Sequence, residues 1–192
     1  MIFDFEKLYW LNRQFVKQAG PKRVAELSLP FFAKAAWMTE PQPPESPARA
    51  WFEKVVELLA PSVDRLEQLP ERAASIFAYD AKAALASPDN AEVLGWEKTR
   101  AVVEAFCRRV PTEEAMTVEG FKSIVNEVKG ETGTKGKELY HPIRLVITGS
   151  HSGPEFDKLI PILEEGSGLK LPRHVKSVRE RVEEFVKAFA AR

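Results

Sequence analysis

Residues 130–156 have the sequence GETGTKGKELYHPIRLVITGSHSGPEF, and they differ from the rest of the chain. Five of the ten glycines fall in this stretch, together with the basic residues Lys135, Lys137 and Arg144. Glycine adopts backbone conformations that other residues avoid, so the stretch offers places where a ligand or another backbone can approach closely. The sequences on both sides have helical patterns. We therefore predict that residues 130–156 are a functional loop system framed by helices.

The end of this stretch predicts the start of a helix. Ser152 and Glu155 have the spacing of a capping box, and Pro154 suits the first turn of a helix. We therefore expect a helix to begin near Gly153. The apolar run at residues 145–147 precedes it, and periodicity does not distinguish a short strand from a buried helical turn there.

A helix start at this position favours a binding site. The free N–H groups and the positive dipole end of a helix N-terminus attract anions and the acceptor edges of bases. The guanidinium of Arg144 adds a planar set of donors to this region. The alternative interpretation is a plain turn before a helix, with Arg144 on a solvated face. Spacing alone leaves both interpretations open.

The composition indicates one or two compact domains with a hydrophobic core. The chain has 192 residues, of which 44% are hydrophobic and 29% are charged, and its formal net charge is 0. A neutral total argues against a general nucleic-acid coat but permits a local basic patch. Cys107 is the single cysteine, which predicts a small buried hydrophobe in a reducing cytoplasm. We see neither a signal-peptide pattern nor an apolar stretch of about 20 residues.

Apolar residues recur at steps of three and four along most of the chain, which predicts an all-α fold. In the first helix Leu8, Leu11 and Phe15 share an apolar face, and Asp4 is its expected cap. Thr39–Pro47 has four prolines and predicts an extended connection. The predicted helices cover residues 4–19, 21–29, 48–60, 61–69, 70–79, 90–109, 117–129, 154–165 and 172–191, with a turn and cap at 87–90 and a break at Pro30.

The sequence shows no catalytic constellation. The histidines at positions 141, 151 and 174 lack the spacing of a zinc site, and no cysteine pair is present. A phosphate-binding loop, a dinucleotide fingerprint and a nucleophile elbow are all missing. An independent enzyme is therefore the function that the sequence supports least.

Two stretches resemble the C-terminal part of bacterial glutamyl-tRNA synthetases, which are glutamate–tRNA ligases of class I. HPIRLVITGSHSGPEF at residues 141–156 is similar to a segment with Pro-x-Arg, three or four apolar residues, Thr-Gly and then Gly-Pro. ETGTKGKELY at residues 131–140 is similar to the Lys-Gly-Lys approach to that segment. FDFEKLYWLN at residues 3–12 resembles the family's Phe-Asp-x-x-Lys-Leu-x-Trp-Leu-Asn. The two motifs occur in the right order and together frame residues 3–160.

The resemblance implies the anticodon-binding region of the synthetase, an all-α cage of two helical subdomains at residues 1–88 and 89–192. The class I signatures His-x-Gly-His and Lys-Met-Ser-Lys-Ser are missing, so we expect the C-terminal part alone, inactive by itself. ATP and Mg²⁺ would bind in the catalytic domain, and we expect no cofactor or metal in this chain. The expected partner is tRNA(Glu), the expected state is a monomer, and the expected compartment is the cytoplasm.

The resemblance also implies roles for individual residues at the anticodon. Arg144 stands where the family contacts the first anticodon base. Gly153 stands where the family contacts the middle base, partly through main-chain groups. Thr148 and Ser152 lie in the same segment and are expected to belong to this anticodon site. Proteins read an RNA loop by splaying its bases out, stacking them and bonding their edges.

Lys17 occupies the position where family members selective for the third glutamate anticodon base carry arginine. Lysine cannot make the same planar bidentate contact. This departure predicts relaxed discrimination, with tRNA(Gln) as a second partner. The residues expected to contact RNA phosphates are Lys122, Lys129, Lys135 and Lys137.

Two other classes of function stay open. One is a helical module whose loop docks a protein partner, although the loop is poor in the aromatic residues of binding hot spots. The other is a small stand-alone RNA-binding regulator related to the synthetase. Trp10 or Trp37 would stack on a base in either RNA-binding case, while a core position is the simpler interpretation for both.

Overall fold

The computed structural model describes residues 5–43 and 45–191, without the side chain of Phe5, and all regular secondary structure in these residues is helical. This confirms the all-α prediction. The motif residues Phe3 and Asp4 lie outside the described residues. The helices are α1 (Phe5–Lys34), α2 (Pro47–Leu59), α3 (Leu69–Phe77), α4 (Ala81–Ala86), α5 (Ala91–Gly95), α6 (Thr99–Cys107), α7 (Val118–Thr132), α8 (Lys137–Thr148), α9 (Phe156–Ser167) and α10 (Val178–Ala190), with 3-10 turns at Ala60–Ser62, Leu66–Gln68 and Pro88–Asn90.

The chain folds into two compact units. Unit 1 consists of Met1–Phe77 and Gly168–Val175, and unit 2 consists of Ala78–Ser167 and Lys176–Arg192. The division into subdomains at residues 88 and 89 stays a prediction.

Helix α1 is interrupted at Gly20, as expected. Gly20 has φ 73° and ψ 160°, a conformation that residues with a Cβ rarely adopt. The expected break at Pro30 is wrong, because Pro30 lies inside the helix. The apolar face predicted for the first turns is also not buried. Leu8, Leu11 and Phe15 keep 44%, 43% and 60% of their surface exposed. Periodicity identifies an apolar face, but it does not show what covers that face.

Unit 1 has an aromatic core. The rings of Phe32 and Phe52 meet edge to face with centroids 4.7 Å apart, and Trp37 stacks on Phe77 at 5.0 Å. Trp51 packs edge-on against Phe77 at 5.5 Å and is fully buried. Such pairs contribute to stability beyond the apolar area that they bury. Trp37 therefore packs on the aromatic core while part of its surface stays exposed.

Two predicted helices are interrupted by extended residues. The segment 61–69 is not one helix, because Val63 is extended between two 3-10 turns. The segment 90–109 is not one helix either, because Trp96 has φ −67° and ψ 140°, which ends α5. The chain resumes as α6 at Thr99. Both predictions fail because apolar spacing continues through residues whose backbone leaves the helical region.

The last helix begins later than the proline at position 172 suggests. Ser177 and Glu180 form a capping box, in which the Glu180 N–H donates to Ser177 Oγ at 3.3 Å and the Ser177 N–H donates to Glu180 Oε2 at 2.7 Å. Helix α10 therefore starts at Val178. Of the apolar residues predicted to line this helix, Val178, Val182 and Phe185 are buried, but Val186 is 44% exposed.

The stretch 130–156 contains more helix than predicted. Helix α7 continues through Thr132, and α8 covers Lys137–Thr148. The apolar run 145–147 is therefore a buried helical turn rather than a strand. The predicted loop system is reduced to two short connections, at residues 133–136 and 149–155.

The C-terminal end of α8 is held by buried polar side chains of unit 2. Arg181 is fully buried, and its Nη1 donates to the carbonyl oxygen of Ile147 at 2.8 Å. The hydroxyl of Tyr79 donates to the carbonyl oxygen of Val146 at 2.6 Å. The last carbonyls of a helix have no partner inside the helix, so these bonds satisfy groups that would otherwise be buried unpaired. They fix the position at which the following turn begins.

Candidate nucleic-acid interface

The connection between α8 and α9, residues 149–155, begins with a left-handed glycine. Gly149 has φ 76° and ψ 5°, and its N–H donates to the carbonyl oxygen of Leu145 at 3.0 Å. A Cβ at this position would lie 3.4 Å from the Cβ of Ala84 in a backbone conformation that other residues rarely adopt. Glycine therefore suits the position both for its backbone and for the limited space. We call residues 149–155 the α8–α9 turn.

Thr148 stabilises the α8–α9 turn from inside. It is 4% exposed, and its hydroxyl lies 2.9 Å from the carbonyl oxygens of both Arg144 and Ser150. The Ser150 N–H lies 3.3 Å from the same hydroxyl. The Thr148 side chain therefore links the last turn of α8 to the first residues of the connection.

Arg144 faces the α8–α9 turn from α8. Its Nη1 donates to the carbonyl oxygen of Pro154, and its guanidinium carbon lies 4.1 Å from the centre of the Phe156 ring. No acidic side chain pairs with it in the described part of the chain. Burial lowers the pKa of the Arg144 guanidinium, but arginine keeps its charge in proteins. The structure thus presents a positive charge that is held by neutral groups.

Gly153 lies directly beside Arg144. It has φ 152°, and a Cβ built on it would lie 3.6 Å from Arg144 Nη1. Gly153 and Ser152 are both exposed, and the Ser152 N–H lies 3.3 Å from Ser150 Oγ. The structure therefore brings together Arg144, Gly153, Ser152 and the supporting Thr148.

The predicted capping box in this turn is wrong. Helix α9 begins at Phe156, so Ser152 lies four residues before the helix. The carbonyl oxygen of Glu155 accepts the N–H of Leu159 at 3.0 Å, which places Glu155 at the cap position. The spacing of Ser152 and Glu155 matches a capping box, but the tight connection after α8 uses these residues in the turn itself. The helix N-terminus lies about one turn further along than Gly153.

A chain of rings lies beside the α8–α9 turn. The His141 ring lies 5.7 Å from Trp96 and 5.6 Å from His151, both measured between ring centres. All three residues are partly exposed. His151 belongs to the turn, His141 lies on α8 and Trp96 follows α5. The three neighbouring rings therefore connect the turn with these two parts of unit 2.

The surroundings of these rings are electropositive. Burial lowers the pKa of His141, and the nearby charges of His151, Lys137 and Arg144 lower it further, while Glu92 acts in the opposite direction. Nearby positive charges disfavour the protonated form of a histidine. Lys137 and Arg144 therefore place positive charge near His141 on α8.

The predicted phosphate-binding lysines occupy three different settings. Lys122 on α7 pairs with Asp157 on α9 at 2.7 Å, and that pairing raises the pKa of Lys122. Lys129 is exposed near the end of α7. Lys135 and Lys137 are exposed in and after the 133–136 connection. Of these four side chains, Lys122 would have to leave its carboxylate to bind a phosphate.

Lys17 belongs to unit 1 and is exposed. It lines a cavity of about 410 Å³ together with Trp10 and Arg13. Trp10 keeps 55% of its surface exposed, and Arg13 pairs with Asp64 at 3.0 Å. The structure thus places Lys17 in a different unit from Arg144.

The single cysteine, Cys107, lies on α6, outside the α8–α9 turn. Burial raises the pKa of the Cys107 thiol to about 12, although the residue keeps part of its surface exposed and is not fully buried as predicted. No three His, Cys, Asp or Glu side chains come together as metal ligands would within residues 5–43 and 45–191. In the same part of the chain, no helix is long and apolar enough to cross a membrane.

Sequence reasoning missed two residues that build this site. Phe156 supports the Arg144 guanidinium, and Asn90 bonds to the α8–α9 turn. Asn90 was expected to cap a helix, but its side chain makes no capping bond to α5. It lies 59 residues from its partner Gly149, so no local pattern could have revealed the contact.

Comparisons with known proteins agree with this architecture. A family model described as an anticodon binding domain matches residues 23–170. A glutamate–tRNA ligase of Carboxydothermus hydrogenoformans is 34% identical over 168 residues, a match that covers 84% of this chain and 33% of that protein. A glutamate–tRNA ligase of Desulforamulus reducens is 29% identical over 162 residues, covering 84% of this chain and 33% of that protein. The chain therefore spans about a third of the length of these relatives.

A solved structure has the same fold. The crystal structure of a glutamate tRNA ligase from Elizabethkingia meningosepticum, in complex with its amino acid, matches with a TM-score of 0.59 and 16% sequence identity. The match covers 98% of this chain and 32% of that chain. At this identity the likeness shows the helical fold rather than the function.

Proposed function

Because the chain belongs to the family of anticodon-binding domains, whose model matches residues 23–170, we propose that it binds the anticodon loop of a transfer RNA. It is homologous to the C-terminal part of glutamate–tRNA ligases, which confirms the resemblance found in its sequence. The proposed partner is tRNA(Glu), bound by a cytoplasmic monomer. Ligation of glutamate with ATP and Mg²⁺ is proposed for a whole enzyme with a catalytic domain, and RNA binding by this chain needs no cofactor.

One observation carries the proposal, namely that Arg144 is held by neutral groups. Its partners are the carbonyl oxygen of Pro154 and the ring of Phe156, whereas other arginines of unit 2, such as Arg108, pair with glutamates. A guanidinium has five N–H donors, so most of them remain for a ligand after one bond to Pro154. A positioned guanidinium beside exposed main-chain groups suits the edge of an unstacked base.

The α8–α9 turn supports separate roles for its residues. Arg144 would bond the first anticodon base, and the exposed main chain at Gly153 and Ser152 would bond the middle base. Thr148 is buried and bonded within the turn, so its role at the anticodon would be to keep the backbone in place. A preorganised backbone contributes affinity because it loses little conformational freedom when RNA binds.

The third base would be contacted from unit 1 by Lys17. The cavity of about 410 Å³ beside this lysine lies within the usual size range of ligand pockets. Trp10, on the wall of the same cavity, offers a large exposed ring on which a base can stack. A lysine in place of arginine supports relaxed selection of the third base and therefore binding of tRNA(Gln) as well.

The RNA backbone would be contacted by exposed lysines of unit 2. Lys129, Lys135 and Lys137 are exposed, and none of them forms an ion pair with an acid within residues 5–43 and 45–191, while Lys122 would exchange Asp157 for a phosphate. Such contacts position an RNA without reading its sequence. They also make binding salt-dependent, because each bound phosphate releases counterions.

The test is a binding titration with short RNA hairpins that carry glutamate, glutamine or unrelated anticodon loops, at two salt concentrations. We expect the unmodified chain to prefer the glutamate and glutamine loops over the unrelated loops. Arg144→Ala should weaken binding to the preferred loops by about 1–3 kcal/mol, the size of a good bidentate base contact. Arg108→Ala is the matched control, since it removes the same charge from an arginine paired with Glu131.

The comparison of the two variants separates base reading from general charge attraction. Equal losses for Arg144→Ala and Arg108→Ala would mean that only total charge matters. Circular dichroism of each variant must match that of the unmodified chain. Binding without any loop preference at low salt would contradict the proposed function.

A further inference from the structure

Asn90 is a buried polar side chain that engages the α8–α9 turn from another part of unit 2. It lies at the end of the 3-10 turn Pro88–Asn90 and is 2% exposed. Its Nδ2 donates to the carbonyl oxygen of Ala84 and to that of Gly149, both at 2.9 Å. These bonds join the end of α4 to the first residue of the turn.

The other end of the same amide contacts His151. Asn90 Oδ1 accepts the backbone N–H of His151 at 3.2 Å and lies 3.3 Å from His151 Nδ1. One side chain therefore satisfies a carbonyl and an N–H that lie two residues apart in the turn. The reversed amide would set its oxygen against two carbonyl oxygens, so the bonding pattern defines a single orientation.

We infer that Asn90 is a positioning residue for anticodon reading, an inference that rests on the proposed function. It holds residues 149–151 in one conformation. It thereby fixes the direction in which the backbone leads to Gly153, which lies beside Arg144. Asn90 itself is buried and does not touch the RNA. Its contribution is preorganisation: the exposed main-chain groups of the turn keep the direction that the middle base requires.

Variants at position 90 test the two ends of the Asn90 amide, namely the donor that bonds to Ala84 and Gly149 and the acceptor that bonds to His151. Asn90→Asp keeps an acceptor for the His151 N–H but replaces the donor with an oxygen near the carbonyl oxygens of Ala84 and Gly149. Asn90→Ala removes both the donor and the acceptor. Thr99→Val is the matched control, since Thr99 is also 2% exposed in unit 2 and its hydroxyl bonds to Val93, outside the turn.

The first measurement compares hairpins that differ only in the middle anticodon base. We expect Asn90→Asp and Asn90→Ala to lower the preference for the correct middle base by about tenfold, as the loss of a buried hydrogen bond allows. Thr99→Val should lower the melting temperature by about as much as the Asn90 variants do, but it should keep the preference for the correct middle base. Retained preference in both Asn90 variants would overturn the inference.

The second measurement needs no RNA. Amide hydrogen exchange at His151 should accelerate in Asn90→Ala, which removes the acceptor of this N–H, while the buried amides of α10 at Val182 and Phe185 keep their protection. Unchanged exchange at His151 would show that Asn90 does not hold the turn and would overturn the inference. If the unmodified chain lacks any loop preference, the proposed function fails and the reading role of Asn90 fails with it. If the unmodified chain keeps its loop preference while the Asn90 variants do not lose it, the inference fails alone.

Discussion

Arg144 and Lys17 are both basic residues that we propose to contact anticodon bases, but their surroundings in the structure differ. Arg144 is half-buried, with its guanidinium over the Phe156 ring and one donor on the carbonyl oxygen of Pro154. Lys17 is exposed on the wall of a cavity, and no hydrogen bond or ion pair holds it in the described residues. In the structure, neighbouring groups fix the orientation of the first side chain, and no such bond fixes the second.

This difference suggests how selectivity is divided between the two units. A fixed planar fork discriminates strongly, because a wrong base leaves its donors unpaired. A mobile ammonium is attracted to any acceptor within reach and loses rotamer freedom when it binds. We therefore expect strict reading at the α8–α9 turn of unit 2 and permissive reading beside Lys17 in unit 1.

The largest expected effect comes from removing the support under Arg144. Phe156 is 6% exposed and packs on Phe121 with ring centres 4.6 Å apart. Phe156→Ala should lower the free energy of unfolding by about 3–5 kcal/mol, because a large buried side chain is deleted. Urea denaturation followed by circular dichroism measures this change.

Phe156→Leu is the more informative variant, since it keeps most of the apolar volume and removes the aromatic face. Its stability loss should be below about 1.5 kcal/mol. RNA binding should nevertheless weaken, because Arg144 loses a cation–π contact of about 0.5–2 kcal/mol and with it a fixed orientation. Unchanged affinity in this variant would remove the main contrast between Arg144 and Lys17.

A change at Lys17 tests the permissive side of the comparison. Lys17→Arg introduces a planar fork beside the cavity, with no change in charge. We expect the preference for the glutamate over the glutamine loop to increase by about 1–3 kcal/mol if the fork reaches the third base. Titration of the two hairpins against the variant and the unmodified chain measures the change. Lys22→Arg is a control with the same substitution on the same helix, and it should leave the preference unchanged.

Part of the fold could be predicted because local signals determine it. Apolar spacing predicted an all-α chain, and the Gly20–Pro21 pair predicted an interruption in α1. The capping box of Ser177 and Glu180 at the start of α10 is equally local, although the predicted helix began at Pro172. The exposed face of Leu8, Leu11 and Phe15 could not be predicted, because burial depends on which elements pack against a helix.

The site shows the same division between local and long-range information. The motif around Arg144 and Gly153 identified the turn, and the structure brings these two residues to within contact of each other. The pair Ser152 and Glu155 misled because a capping-box spacing occurs in tight turns as well. Asn90 lies 61 residues from His151, and only the folded chain relates them. Hydrogen bonds between residues so far apart in the chain depend on how the helices pack. No periodic pattern in the sequence indicates them.

The smallest expected effect is electrostatic, and it probes the neighbourhood of Arg144 without RNA. The pKa of His141 is below its ordinary value of 6.5, mainly through burial and further through His151, Lys137 and Arg144. Arg144→Ala removes one of these positive charges, so the pKa of His141 should rise toward 6.5. Arg108 of the same unit is not among the charges that shift this pKa, so Arg108→Ala should leave it unchanged. Proton NMR titration of the imidazole signals measures both.

The same shift gives a pH dependence with a defined sign. The folded chain binds a proton at His141 less readily than the unfolded chain does. The contribution of His141 to the free energy of unfolding is therefore fully present above pH 6.5, and it is lost as the pH decreases through the lowered pKa. Arg144→Ala should weaken this dependence, because the folded and unfolded pKa values move closer together. An unchanged His141 titration in Arg144→Ala would mean that the guanidinium charge does not act on His141, and the electrostatic part of the pKa shift would then depend on Lys137 and His151.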